Sequence, residues 1–286
     1  METWAKTGLV QLIVLGVGMA IAPSSQAQEL KFGVVSVLGE TEAQAEFQPL
    51  MTYLSKTMGQ TVSLYIVKNE VDLRTKTEAG AVDVANFSPF AYVEAARGGK
   101  IRIVAQSVLN GSATYRGVII KRFDSHINAL ADLAGKRFAF VDLKSTGGYV
   151  YPRAMLLENG INPERTFKET FFLGSDEKVI AAVLLGSAHA GAVHKVAVAA
   201  AKAKGLATFD LEVLASTDPI PYDAIAVRVD LDAAQVKRIQ AALVELNRSP
   251  AGREVLARTS QKPTGYIAAD DSLFEVVRRT AKVGGM

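Results

Sequence analysis

From residue 30 onward, short apolar runs alternate with longer stretches in which apolar residues recur at helical spacing. Leu30–Val35, Val62–Val67, Val82–Asn86, Ile101–Val108, Tyr115–Lys121 and Arg137–Val141 have the length and β-branched content of strands. Pro49–Met58 carries apolar residues at 50, 54 and 58 and is closed by Gly59, which predicts a helix. A polar helix follows up to Ala79 and Gly80, Ser88-Pro89 opens another that ends at Gly98-Gly99, and Gly148–Asn159 stops at Gly160. Further on, short strands at Ala190–Val193, Leu211–Ala215 and Ala224–Val229 surround an alanine-rich helix over Lys195–Lys204. The remainder reads as mostly helical, including Ala233–Asn247 and Leu273–Lys282. This alternation predicts an α/β fold with mostly parallel sheets flanked by helices. No internal repeat and no low-complexity linker interrupts it.

The first 27 residues stand apart. Lys6 precedes the apolar run Leu9–Ala22, which only Gln11 interrupts, and Ser25-Gln26-Ala27 is a small-x-small exit. The run is shorter than the ~20 apolar residues of a membrane span. It reads as a secretory signal peptide cleaved near Ala27, giving an exported, periplasmic protein. Removing it takes away one Lys and one Glu, so the net charge stays at +3. A charge that small, spread along the chain, argues against nucleic acid as a partner. There is no cysteine, hence no disulfide framework and no lipid-modified cysteine at the cleavage point. A soluble monomer is expected, and its 49% apolar content suffices for two modest cores.

In an open α/β sheet, ligands bind beyond the carboxyl ends of the strands, where helices begin. A helix start offers unpaired N–H groups and a partial positive charge, which suit an anion without Lys or Arg. Three starts follow strands here. In Ser145-Thr146-Gly147-Gly148, two hydroxyls precede two glycines, giving side-chain donors and backbone that can approach a ligand closely. In Ser88-Pro89, Ser88 is a natural cap, and Tyr92 lies one turn in, within reach of a ligand. Gly174-Ser175-Asp176-Glu177 is the third. Each also reads as an ordinary capped turn, and the first is no phosphate-binding P-loop, because no Gly-Lys-Ser/Thr follows.

Enzymatic readings find little support. His189 and His194 are five apart, the wrong spacing for two ligands on one helical face, and His126 and His194 read as surface or structural. Neither Gly-x-Ser-x-Gly nor His-Glu-x-x-His occurs, and Asp270-Asp271 looks like a cap. No cofactor is implied.

Taken together the segments resemble the phosphate/phosphite/phosphonate family of periplasmic binding proteins of ABC transporters. The resemblance rests on Gly33-Val34-Val35-Ser36, Pro49-Leu50-Met51-Thr52-Tyr53-Leu54, Gly80-Ala81-Val82-Asp83 and Pro89-Phe90-Ala91-Tyr92-Val93. Its most specific stretch runs from Leu130 to Asp142 and on through Ser145-Thr146-Gly147-Gly148-Tyr149 to Leu156, and Pro219-Ile220-Pro221-Tyr222-Asp223 completes it. The resemblance implies a two-lobed, type II Venus-flytrap fold with a ligand between the lobes. Lobe 1 would be discontinuous, 28–115 and 217–286, and lobe 2 would span 116–216. The crossings would fall at Ala113–Gly117 and Ser216–Ala224.

The same resemblance implies a receptor that captures a small phosphonate-, phosphite- or phosphate-like oxyanion for an ABC permease. A sensory subunit presenting the bound form to a histidine kinase is the alternative on the same fold. Carried over, the candidate ligand-binding residues are Tyr92, Ser145, Thr146, Gly147 and Asp223, joined by Ser88, Ser36 and Asp176. Two positions depart from the family. Asp176 stands where a ligand-contacting His is usual, and His189 stands where an acid is usual. A carboxylate at 176 would repel a dianion, or accept a hydrogen bond from a protonated oxygen or an amine.

Overall fold

The computed structural model describes Met1 and residues 29–36, 40–258 and 263–286. The apolar run Leu9–Ala22 and the cleavage point near Ala27 lie outside the described residues. The chain opens with β1 (Leu30–Val35), α1 (Glu40–Met58), β2 (Val62–Val67), α2 (Glu70–Glu78), β3 (Val84–Phe87), α3 (Pro89–Ala96) and β4 (Ile101–Val108). It passes through β5 (Thr114–Tyr115) into β6 (Gly117–Arg122) and β7 (Arg137–Phe140). A π-helical turn over Thr146–Val150 then leads into α4 (Tyr151–Glu158), α5 (Pro163–Thr166) and β8 (Glu169–Phe172). Next come α6 (Asp176–Leu184), β9 (Ala190–His194), α7 (Lys195–Ala203) and β10 (Leu211–Ser216). The chain returns through β11 (Ile220–Pro221) to β12 (Ala224–Arg228), α8 (Ala233–Glu245), α9 (Pro250–Arg258), β13 (Gly265–Ala268) and α10 (Glu275–Val283).

Two sheets result, six strands in the order β13-β4-β12-β3-β1-β2 and five in the order β10-β6-β9-β7-β8. Between them β5 and β11 form a two-stranded antiparallel ribbon, with Ile220 opposite Tyr115. Pairing is mixed where mostly parallel sheets were expected. β1 runs parallel to β2 and β3, and β7 to β8 and β9, because helices supply the long crossovers that parallel neighbours need. Strands β6 and β12 arrive directly from the other sheet without a helix, and both pair antiparallel with their neighbours.

Helix α1 begins at Glu40, ahead of the expected start at Pro49, which sits inside it. Its early part is polar, so periodicity hides it, but Glu40 and Glu42 in the first turn suit the helix dipole. Its buried face (Leu50, Met51, Leu54) packs with Phe32, Ile239 and Leu243 over the first sheet. Val118, Ile120, Val179 and Val183 form a core on the second sheet. A third cluster joins the two bodies, with Phe87 and Phe90 from one, Phe138 and Phe140 from the other, and Phe274 from the C-terminal segment. Each such buried side chain stabilises the fold by about 1.5–3 kcal/mol. The tail is not wholly helical, since Gly265–Ala268 adds an edge strand to β4.

Candidate functional site

The strand ends of both sheets converge on a cavity of about 340 Å³. The first body supplies Val35 and Ser36 after β1, Glu42, Glu46 and Phe47 of α1, Glu70 of α2, and Asn86, Ser88 and Pro89 around the start of α3. Tyr115 comes from the ribbon, Asp223 from the segment after β11, and Ser145, Thr146 and His194 from the second body.

The Ser-Thr-Gly-Gly segment forms a capped helix start on the cavity wall. Ser145 caps the turn, its Oγ accepting from the Gly148 N–H at 3.1 Å. Thr146 is 2% exposed, and its Oγ1 accepts from the Phe90 N–H across the cleft at 3.1 Å. A hydroxyl that accepts in this way keeps its own O–H to donate. In the π-helical turn the Tyr149 and Val150 N–H groups both donate to the Ser145 carbonyl at 3.0 Å. Gly147 tolerates no side chain, because a Cβ would lie 2.8 Å from the Tyr115 ring and 2.9 Å from that of His194. Its role is to let backbone, histidine and tyrosine pack against one another.

Asp176 does not line this cavity, contrary to expectation. The carboxylate lies behind His194, 3.0 Å from its Nδ1, and accepts from the His194 N–H at 2.8 Å. A carboxylate only accepts, so Nδ1 carries the proton and Nε2 is left beside Gly147 at the helix start. Burial opposes charging of the imidazole, but the Asp176 hydrogen bond and the charges of Asp176 and Asp223 outweigh it and raise its pKa. Burial likewise works against the Asp176 carboxylate, and the bond to His194 overcomes it, holding the group below its usual range. His194 is therefore a cavity residue, and not the surface or structural histidine that its spacing suggested. The other departure is remote from the cavity, because His189 Nδ1 accepts from the Arg137 N–H at 3.0 Å at the start of β7.

Tyr92 also differs from expectation. Its hydroxyl donates to Asp271 at 2.7 Å and its ring packs edge-on against Phe274, 5.0 Å between centroids. One turn into α3, the side chain points to the C-terminal segment and not to the cavity. The tyrosine that does line the cavity is Tyr115, which lies against His194 and Tyr222 at 5.0 and 4.9 Å. Burial, then the Asp223 charge, pushes its phenol well up, so it remains a donor.

Asp223, Ser36 and Ser88 lie on the wall of the cavity. Burial pushes the Asp223 carboxyl up to about 6, against the His194 charge and a hydrogen bond from Asn86. Sequence reasoning passed over Glu70. Its Oε1 accepts from the Ser88 N–H at 3.2 Å, its Oε2 is buried without a partner, and burial raises its pKa to about 7. No Lys or Arg is among the described residues that line the cavity. Among the described residues, no group of three His, Asp or Glu side chains is placed to hold a metal ion.

Residues 32–274 match the family described as ABC transporter, phosphonate, periplasmic substrate-binding protein. The chain belongs to that family. Its members are periplasmic receptors of transporters. Phosphate-import protein PhnD of Mycolicibacterium smegmatis is 32% identical over 138 residues, 47% of this chain and 43% of that relative. The chain thus matches less than half of that relative's length. A binding-protein component of an ABC phosphonate transporter from Pseudomonas aeruginosa shares the fold at a TM-score of 0.76 and 21% identity, covering 91% of this chain and 87% of that one. PhnD1 of Prochlorococcus marinus, solved with methylphosphonate, does so at 0.76 and 21%, covering 89% and 97%. These phosphonate-type receptors are α/β and two-lobed, as this chain is. The sensory alternative finds no support in the comparisons.

Proposed function

We propose that the chain captures a small phosphonate-, phosphite- or phosphate-like oxyanion in the cavity between its lobes and delivers it to an ABC permease, without altering it chemically. The observation that carries this reading is the Ser145-Thr146 helix start, which meets the His194–Asp176 pair in a cavity walled from both bodies. Hydroxyls, helix N–H groups and a raised-pKa imidazole give several charge-assisted hydrogen bonds in a partly dry site. Lobe 1, 28–115 with 217–286, and lobe 2, 116–216, close about β5 and β11, a familiar motion around small ligands. The mature protein starts near Gln28 and is a soluble periplasmic monomer.

Thermal-shift titration of the mature chain with methylphosphonate, phosphite and phosphate tests the reading. A native-state ligand raises the melting temperature as its concentration rises. At least one of the three should do so, and a chain indifferent to all of them at millimolar concentration would contradict the proposal.

A further inference from the structure

Resting on that reading, in which two lobes close around a ligand, we propose that Tyr92 and Arg153 are positioning residues. They tie helix α10 to α3 and α4, and so set how much of the ligand-free chain is held in the closed, binding arrangement. Neither residue lines the cavity. Helix α3 and the turn that leads into α4 begin on its opposite walls, where the Phe90 N–H donates to Thr146 at 3.1 Å. Further along, α3 and α4 both pack against the C-terminal segment. Its Phe274, Val277 and Ala281 are buried in one cluster with Tyr92 of α3 and with Tyr151 and Leu156 of α4.

Polar contacts hold the two ends of that segment separately. At its start, Asp271 accepts from the Tyr92 hydroxyl at 2.7 Å and from Arg278 at 2.6 Å. At its end, the Gly284 carbonyl accepts from the Arg153 guanidinium of α4. Between them, Thr280 and Arg279 stand near the buried Tyr151 hydroxyl. The segment belongs to lobe 1, so its hold on α4 links the lobes. A hydrogen-bonded helix moves as a unit, and α10 cannot follow both α3 and α4 if they turn apart. Opening the cavity therefore breaks the hold at Arg153 or pulls the segment from Tyr92. The strap stabilises the closed form alone, without touching a ligand. Apparent affinity falls with the fraction of chains in the competent form, so a looser strap weakens binding with the cavity unchanged.

Electron–electron spin resonance between the lobes tests the strap. The chain has no cysteine, so Lys237→Cys in lobe 1 and Lys202→Cys in lobe 2, both exposed, place a nitroxide on each lobe of the mature chain. Arg153→Met keeps the stem and removes the bond to Gly284, and Tyr92→Phe removes the bond to Asp271. Each should broaden or shift the ligand-free interlobe distance relative to the labelled parent. Each should also weaken the best-bound of methylphosphonate, phosphite and phosphate by about ten-fold in calorimetry. Glu164→Gln removes only the exposed partner of Arg153 within lobe 2, and should change neither reading. If either variant folds poorly, the other carries the test. Unchanged distances in the folded variants overturn the strap, as does a shifted distance with unchanged affinity. A Glu164→Gln shift equal to that of Arg153→Met also overturns it. Should none of the three compounds bind the parent, the oxyanion reading falls, and the ligand-free distances still decide the strap.

Discussion

The two walls of the cavity differ in kind. The second body contributes donors, namely Ser145, Thr146 and, when its ring is protonated, the Nε2 of His194, each set by the local geometry of a strand end and a helix start. Apart from Ser36, Ser88 and the Asn86 amide NH2, the polar groups of the first body and the returning segment are acceptors: the carboxyls of Glu42, Glu46, Glu70 and Asp223 and the Asn86 Oδ1. The donor wall needs no ligand to be satisfied, since Thr146 and the histidine already have partners. The acceptor wall is incomplete without one, because Glu70 Oε2 and Asn86 Oδ1 are buried and unpaired. One wall is thus preorganised, and the other stores an unmet demand that a ligand can meet.

The sharpest way to break this contrast is on the donor wall. Thr146→Val keeps the shape but loses the donor, and with it the hydrogen bond from Phe90 across the cleft. A bond to a charged group contributes about 1.5–3 kcal/mol. Affinity for the best-bound oxyanion should therefore fall by roughly ten-fold to more than a hundred-fold in calorimetry. An unchanged affinity would reduce Thr146 to a simple part of the helix start.

Next in size is the imidazole. The raised pKa of His194 means that its charge is present at low pH and lost as pH rises through that value. Anion affinity should fall across the same window, with Asp176, Asp223 and Tyr115 as its titratable neighbours. Asp176→Asn should weaken binding by about ten-fold and move the fall to lower pH. A pH profile identical in wild type and variant would mean that Asp176 does not tune the histidine.

On the acceptor wall the effect appears in stability without ligand. Glu70 is raised from 4.5 to about 7 in the folded chain, so over that window the unfolded chain holds fewer protons than the native one. Stability then declines as pH rises through the window, and Asp223 adds to the decline over its own range, from 3.8 to about 6. Glu70→Gln should raise stability by about 1–3 kcal/mol at pH 8 and by less at pH 5, read by denaturant unfolding. Equal effects at both pH values would remove the buried charge from the picture.

The smallest change should come from Lys144→Ala, which deletes the pair with Glu94 outside the cavity. Lys144 is well exposed at 42%, and such pairs are worth about 0–1 kcal/mol, so affinity should move by less than about five-fold. A larger loss would shift weight from the cavity to the rim of the cleft.

The same contrast explains what was legible in the sequence. Strands such as Leu30–Val35 and Ile101–Val108, and the Ser145-Thr146 start, announce themselves locally, by periodicity or by hydroxyls next to glycine. The acceptor wall does not. Glu70 reads as an acid in a first helical turn, which the dipole favours anyway, and only tertiary packing buries its second oxygen. The Asp176–His194 pair joins the start of α6 to the end of β9, 18 residues apart, where no motif spacing would join them. Tyr92 shows the converse. Its place on α3 was clear, but the C-terminal segment that claims its hydroxyl through Asp271 is 179 residues away. Four-residue β13 carries too little pattern to distinguish it from the helices on either side.

The most direct test is a crystal structure of the mature chain with methylphosphonate. The phosphonate oxygens should lie within hydrogen-bond distance of Ser145, Thr146 and His194 Nε2, away from Glu70 and Asn86. A ligand seated with its oxygens against Glu70, or bound outside the cavity beside Tyr92, would contradict the division of the site into a donor wall and an acceptor wall.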